Sequence, residues 1–214
     1  MWHFGCSMLR ALARTRRLVC RHGSAWTAAP EIAALARCLE RHATIAEAVH
    51  EHCGAEAFAD ACPGIGASVG AHLRHSLEHI QCCATAIEAL RSDAACRPTL
   101  AYDERERDAA LEADAAYAAA RSRAVAETIV AGPGVALDAT VLAAFALDSS
   151  ADARAPSTLR RELVFVVHHA THHFFVAALV AKGHLGVALP DDVGRAPATL
   201  RNDSQRGAYI DIGG

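Results

Sequence analysis

Apolar residues recur at helical spacing over most of the chain, and four long helices are predicted from this pattern. The first is predicted over residues 30–53, because a proline is favoured in the first turn of a helix and a glycine follows the last apolar position. The second is predicted from about residue 68 to residue 90, and the third from about residue 104 to residue 131. A Gly-Pro pair directly after the third helix is the expected stop signal.

The fourth predicted helix is the most apolar of the four. Ser157 or Thr158 is expected to cap it, and it continues to Lys182 before Gly183 ends it. Its stretch LVFVVHHATHHFFVAALV is apolar nearly all round, which predicts the most buried helix of the protein. Residues 135–148, before this helix, are predicted to form a short hairpin or an extended connection.

Four helices of this length, with a long connection between the third and the fourth, predict an all-α fold of the four-helix-bundle type. The bundle is assigned to residues 30–200, and residues 201–214 to a C-terminal tail. Residues 1–29 form a basic extension that is expected to be disordered or to act in targeting. Sites in such bundles are built in the core from side chains on facing helices, so polar side chains that face inward are the candidates for function.

Composition and charge narrow the class of protein. The chain has 214 residues, of which 52% are hydrophobic and 21% charged, as expected for one soluble domain. Residues 1–30 hold five arginines and no acidic residue, which leaves 16 basic against 24 acidic residues in the rest. An acidic body argues against nucleic-acid binding, because phosphate contacts need clustered Lys and Arg. No uninterrupted apolar run approaches the roughly 18 residues of a spanning helix, so no membrane partner is expected.

The cysteines and the N-terminus bear on the compartment. The eight cysteines contain no C-x-x-C pair, and a chain of this size does not need disulfides, which predicts a reducing compartment. The N-terminus is rich in arginine and free of acidic residues, like a transit peptide, but a bacterial protein read from an upstream start codon would look the same. We therefore expect a cytoplasmic location, with an organelle as the alternative.

Histidines are concentrated in two of the predicted helices. Of the 13 in the chain, the second helix holds His72, His75 and His79, and the fourth holds His168, His169, His172 and His173. The three in the second helix lie on one face. The four in the fourth helix form two pairs with i,i+4 spacing, which lets two imidazoles reach one metal ion.

This clustering favours a metal site. A single buried histidine is usually a hydrogen-bonded core residue, but several unpartnered imidazoles in an apolar helix cost on the order of 1 to 3 kcal/mol each. Metal coordination is the simplest compensation. Three histidines without a carboxylate suit Zn²⁺, Ni²⁺, Fe²⁺ or Co²⁺ and leave positions open for water or a substrate. Spacing alone leaves open which pair of the fourth helix, and which histidine of the second, provides the ligands.

Other catalytic signatures are incomplete. GASVG at residues 66–70 matches the G-x-S-x-G pattern of serine hydrolases, but no strand is predicted before it, so Ser68 is interpreted as a helix N-cap. A di-iron bundle needs two E-x-x-H motifs, and only Glu47 to His50 fits that pattern. The H-E-x-x-H motif of zinc proteases is absent.

Three segments resemble the DinB-like family of metal-binding helical bundles. VGAHLRHSLEH is similar to the family's second-helix motif, YDERERDAALEAD to the opening of the third helix in one branch, and STLRRELVFVVHHATHHFF to the fourth-helix signature. The resemblance covers roughly residues 30 to 200. It implies one divalent metal ion, Zn, Ni or Fe, held by His75, His169 and His173. His168 and His172 then become neighbours of the site.

The family includes metal-dependent thiol transferases and hydrolases. The resemblance therefore implies a metal-dependent enzyme that acts on a small molecule, either as an S-transferase using a low-molecular-weight thiol or as a hydrolase. The competing class is a non-catalytic bundle whose metal or histidine network is structural. A homodimer would fit either class.

The charged stretch YDERERD, residues 102–108, has two interpretations. It is either a solvated helix start or part of the site. In the second case, Tyr102 or Arg105 would bind an anionic group of the substrate, such as a carboxylate. Glu78, next to His79 in the sequence, is a candidate for orienting a ligand histidine.

Overall fold

The computed structural model describes residues 25–148 and 151–210. Most of the predicted basic extension, residues 1–24, therefore lies outside the described residues. The first described element, α1 (Ala25–Ala28), places Trp26 in the core. The indole N–H of Trp26 donates to the backbone oxygen of Ile129 over 2.9 Å, so the chain is anchored to the core just before the first long helix.

The chain is mostly helical, as predicted. The four long helices of the core are α2 (Pro30–Cys53), α3 (Val69–Ser92), α5 (Ala115–Ala131) and α6 (Leu159–Gly183). The other helices are α4 (Ala109–Ala113) and α7 (Pro197–Ile210), with a 3-10 turn at Glu56–Phe58. α7 crosses residue 200, where the sequence suggested the border between bundle and tail; that border stays a prediction.

Four helix ends lie where local sequence chemistry placed them. α2 has Pro30 in its first turn and ends at Gly54, whose φ of 87° is available to glycine at low cost. The Ser68 hydroxyl accepts from the backbone N–H of Ala71 over 3.0 Å, so Ser68 is the predicted N-cap of α3. Thr158 caps α6 in the same way.

The third predicted helix is wrong over its first five residues and is interrupted once. Residues 104–108 are not helical, and the remainder is divided into α4 and α5. Asp108 accepts from the N–H of Ala110 and Asp114 from that of Tyr117, each over 2.9 Å. Aspartate side chains compete with the helical backbone for these donors, so the helix starts twice.

A small sheet corrects the all-α prediction. β1 (Thr99–Ala101) is parallel to β2 (Thr140–Ala146), and β2 is antiparallel to β3 (Asp152–Thr158), in the order β1-β2-β3. Residues 135–148 were predicted to form a short hairpin or an extended connection. Instead, this segment provides the strand β2, and the second strand of the hairpin is β3, which comes later in the chain. β3 has the sequence DARAPST, which carries little strand signal of its own, and its pairing with β2 defines it.

The four long helices pack around one core, with α2 mainly against α5 and α3 mainly against α6. α6 is the one helix of the described residues with the length and composition of a membrane span, and 39% of its most apolar window is buried within the protein. Phe175 and Leu179 on α6 are each 50% exposed, and α6 has ten buried residues against thirteen in α3, so the prediction that it is the most buried helix is wrong. Only its inner side contributes to the core and to the site.

Candidate metal centre

The two histidine groups face each other because α3 and α6 pack side by side. His72 lies against His173, with their Nδ1 atoms 3.2 Å apart, and His79 lies against His169, with ring centroids 4.2 Å apart. Residue numbers rise along one helix as they fall along the other, so the helices are antiparallel. The site is therefore made where the first turns of α3 meet the middle of α6.

Three imidazoles converge at this point. His75, His169 and His173 each offer a ring nitrogen, and these nitrogens all lie within 4.8 Å of one another. Two histidine nitrogens on one tetrahedral ion are about 3.4 Å apart, given bonds of about 2.0–2.1 Å, so the nitrogens would have to approach one another by up to about 1.4 Å through side-chain rotation. These are the three residues that the family resemblance selected.

All three imidazoles are held in the neutral form. Burial, followed by the nearby histidines and, for two of them, Arg105, lowers the pKa of His75 to about 3, that of His169 to about 4 and that of His173 to about 2. A neutral imidazole keeps one nitrogen lone pair, which is the form that ligates a metal. The cluster therefore presents three lone pairs at neutral pH.

Unpartnered nitrogens in the cluster fit a metal site. The Nε2 atoms of His72 and His169 are buried and have no hydrogen-bond partner among the described residues. A buried polar atom left without a partner costs about 1–3 kcal/mol. For His169, metal coordination would remove this cost, so the donor set and its orphaned atom both suit a divalent ion.

The remaining histidines are divided between the edge of the cluster and the surface. His79 is 5% exposed, and its Nδ1 donates to the backbone oxygen of His75 over 2.8 Å. His168 and His172 are exposed. Of the two i,i+4 pairs, the structure thus turns His169 and His173 inward and leaves the other pair outside.

The stretch YDERERD is not helical, and two of its residues, Tyr102 and Arg105, contact the histidines. Arg105 Nη1 donates to Nδ1 of His75 over 2.8 Å and to Oε2 of Glu78 over 2.9 Å. Glu78 Oε1 accepts from the backbone N–H of Asp108 over 3.0 Å. Glu78 therefore holds Arg105 against His75 and does not itself contact a histidine ring.

Sequence reasoning named Tyr102 as a candidate but missed Phe165 and Glu162, which form an aromatic and acidic layer with it beside the cluster. The Tyr102 ring is stacked on His79, with centroids 5.3 Å apart and an interplanar angle of 13°. Phe165 is stacked on His169 with centroids 5.7 Å apart. Glu162, with no exposed surface, accepts from the Tyr102 hydroxyl. A glutamate seven residues before His169, on the same face of an apolar helix, was the available signal.

His42 and the single E-x-x-H motif lie outside the cluster. His42 is a core histidine 2% exposed, with its Nε2 2.5 Å from the hydroxyl oxygen of Ser76. Glu47, from the single E-x-x-H motif, pairs with Arg123, and His50 is exposed. Among the described residues, none of these adds to the histidine cluster.

No family model matches the chain, and no curated protein and no solved structure matches it either.

Proposed function

We propose that the protein is a DinB-like four-helix bundle that binds one divalent metal ion, Zn, Ni or Fe, through His75, His169 and His173. The observation that carries the proposal is the approach of three neutral imidazoles, from two antiparallel helices, to within 4.8 Å of one another. Such a cluster is costly to bury unless it binds something, and a metal is the ligand that this donor set suits.

We further propose that the site is catalytic. A divalent ion held by three histidines lowers the pKa of a bound water to about 7 or stabilises a thiolate. The three imidazoles are only half-buried, which supports access for a small molecule. The rings of Tyr102 and Phe165 line the protein side of the cluster and would exclude water from a bound substrate. These features suit an S-transferase that uses a low-molecular-weight thiol, or a hydrolase.

The alternative is a structural metal site. The rings of His72 and His79 pack against the cluster and favour this alternative, because additional imidazoles can fill the positions that a catalytic metal leaves open. A homodimer and a cytoplasmic location are compatible with both functions and stay predictions.

Metal stoichiometry and affinity test the site. Wild-type protein is expected to bind one ion per chain, and alanine at His75, His169 or His173 is expected to weaken binding by about 100-fold or more, since even outer-shell changes cost 10–100-fold. His168→Ala is the matched control, because His168 is exposed and adjacent to His169 on α6. Equal affinity of all variants, or no binding by the wild type, would refute the site.

Access to the metal separates the catalytic from the structural role. Cobalt-loaded protein has an absorption spectrum that changes when an added small thiol or azide enters the coordination sphere. A spectral change is expected, and it directs a panel of thiols with an electrophile, run beside esters and amides. A spectrum that no added ligand alters would establish the structural alternative.

A further inference from the structure

Arg105 occupies an unusual place for a cation. Its Nη1 lies 2.8 Å from Nδ1 of His75, one of the three proposed ligands. A guanidinium has only donors, so Nδ1 of His75 accepts this bond with its lone pair. In a neutral imidazole the proton is then on Nε2, and neither nitrogen of His75 is free to ligate.

His75 can ligate a metal only after Arg105 moves away. Ligation through Nδ1 needs the lone pair that Arg105 now occupies. Ligation through Nε2 needs the ring proton on Nδ1, and a protonated Nδ1 cannot accept from a guanidinium. On both routes, ligation of a metal by His75 and its hydrogen bond with Arg105 exclude each other.

Glu78 allows this movement without leaving a charge unpaired. Its Oε2 accepts from Arg105 over 2.9 Å, and a carboxylate oxygen can accept a second hydrogen bond from a protonated Nδ1 of His75. Its Oε1 is fixed by the backbone N–H of Asp108. Glu78 can therefore retain Arg105 near the cluster while it orients His75, as carboxylates do for many metal-bound histidines.

Arg105 also carries a donor that has no acceptor. Its Nε is buried and has no hydrogen-bond partner among the described residues, although the side chain is 11% exposed. The Nε–H lies on one of the edges through which a guanidinium binds a carboxylate with two parallel hydrogen bonds. Among the residues that the structure describes, no acceptor pairs with this N–H.

We propose that Arg105 anchors a carboxylate group of the substrate beside the metal, after leaving Nδ1 of His75 when the metal is bound. This inference rests on the proposed metal site, and it assigns the substrate to the class of small anionic molecules. The buried, unpartnered Nε–H supplies the binding edge, and the pairing with Glu78 keeps that edge close to the cluster.

Metal affinity tests the displacement. Arg105→Gln removes the charge and most of the donors, so metal is expected to bind as tightly as in the wild type or more tightly. The control is Arg107→Gln, which changes an exposed arginine of the same segment. Weaker metal binding by Arg105→Gln, with the control unchanged, would show that Arg105 supports the site and would overturn the displacement.

Acetate tests the anchor, with acetamide as the uncharged analogue. Acetate binding to cobalt-loaded protein, followed by absorption and calorimetry, is expected to weaken about tenfold or more in Arg105→Gln and to stay within about twofold in Arg107→Gln. Acetamide should not distinguish the variants. Equal acetate affinity in all three proteins would overturn the anchor.

A measurement on the wild type avoids dependence on the folding of a variant. Nitrogen-15 NMR of the ring of His75 and of Nε of Arg105 should show an unprotonated Nδ1 in metal-free protein. Zinc should change the His75 signals, and acetate added to zinc-loaded protein should then shift Nε of Arg105. Zinc bound by the triad with no acetate response at Nε would refute this inference alone, whereas absence of zinc binding would refute the proposed function.

Discussion

The Tyr102 hydroxyl donates a hydrogen bond of 2.8 Å to Glu162, a side chain with no exposed surface. Burial, together with Cys83 and Glu162 beside it, raises the pKa of Tyr102, so this hydroxyl stays a donor. Ser157 and Arg161 donate to the other oxygen of Glu162 over 2.6 and 2.7 Å. The carboxylate thus joins α6 to β3 and to the segment that leads into Arg105.

Tyr102→Phe is expected to lower the free energy of unfolding by about 1.5–3 kcal/mol, because it removes one donor from a buried charged acceptor. The aromatic contacts of the ring would be retained. Urea unfolding measures the change. Tyr117→Phe is the control, since its hydroxyl also donates to a carboxylate but its side chain is 41% exposed, and a change within about 0.5 kcal/mol is expected. Equal effects of the two substitutions would show that the hydrogen bond from Tyr102 to the buried carboxylate of Glu162 contributes no more to stability than an exposed one.

The ends of most helices could be predicted because they depend on residues next to them in sequence. Ser68 and Thr158 cap their helices as their residue types indicated. The sheet could not be predicted in the same way. β3 pairs with β2 and β2 with β1, and this pairing depends on contacts between segments about 40 residues apart in the case of β1 and β2.

The site was predictable in its residue types and spacing, but not in its surroundings. Spacing alone allowed either of two histidine pairs on α6 to provide the ligands. The packing of α6 against α3 determines that His169 and His173 face inward. Family resemblance selected that pair, whereas periodicity could not. The contact of Arg105 with His75 spans 30 residues and depends on a segment that was expected to be helical. Local propensity carries no information about such a contact.

Gly70→Ala is expected to destabilise the protein even though alanine favours helices. A Cβ at Gly70 would lie 2.0 Å from the backbone oxygen of Glu112, so α4 would have to move away from α3. We expect a net loss of about 1–2 kcal/mol in unfolding free energy, because an overpacking cost of about 2–3 kcal/mol outweighs the gain in helix propensity of about 1 kcal/mol.

Gly64→Ala is the matched control for this substitution. A Cβ at Gly64 would have no heavy atom within 4 Å, and its φ is not in the left-handed region. Chemical unfolding of both variants should therefore show a loss at residue 70 and almost none at residue 64. A Gly70→Ala protein as stable as the wild type would mean that α4 can shift freely.

His42 makes the stability of metal-free protein depend on pH. Burial lowers its pKa from 6.5 to about 3. Between these values the unfolded chain binds one more proton than the folded chain, so stability falls as the pH decreases from 6.5 towards 3. The contribution is about 1.4 kcal/mol per pH unit, or about 2 kcal/mol between pH 6.5 and pH 5.

Replacing His42 tests this dependence. The free energy of unfolding is measured at pH 7 and pH 5 for chelator-treated wild type and His42→Gln. The decrease from pH 7 to pH 5 should be about 2 kcal/mol smaller in the variant than in the wild type. His50→Gln changes an exposed histidine of the same helix and should retain the wild-type difference. If both variants lose the same free energy as the wild type, His42 does not resist protonation in the folded protein.

Metal binding should be nearly insensitive to pH between 7 and 5. The pKa values of about 3, 4 and 2 for His75, His169 and His173, lowered chiefly by burial, mean that protons do not compete with the metal in this range. If one ligand histidine had an ordinary pKa of about 6.5, the affinity for metal would fall about 30-fold by pH 5, and three such ligands would multiply that loss.

Competition titrations with a chromophoric chelator measure this dependence, at pH 7, 6 and 5 in buffers that do not bind metal. The affinities should lie within about threefold of one another once the chelator's own protonation is corrected. An affinity that falls with two or three protons per metal from pH 6.5 would mean that these imidazoles protonate like histidines on the surface.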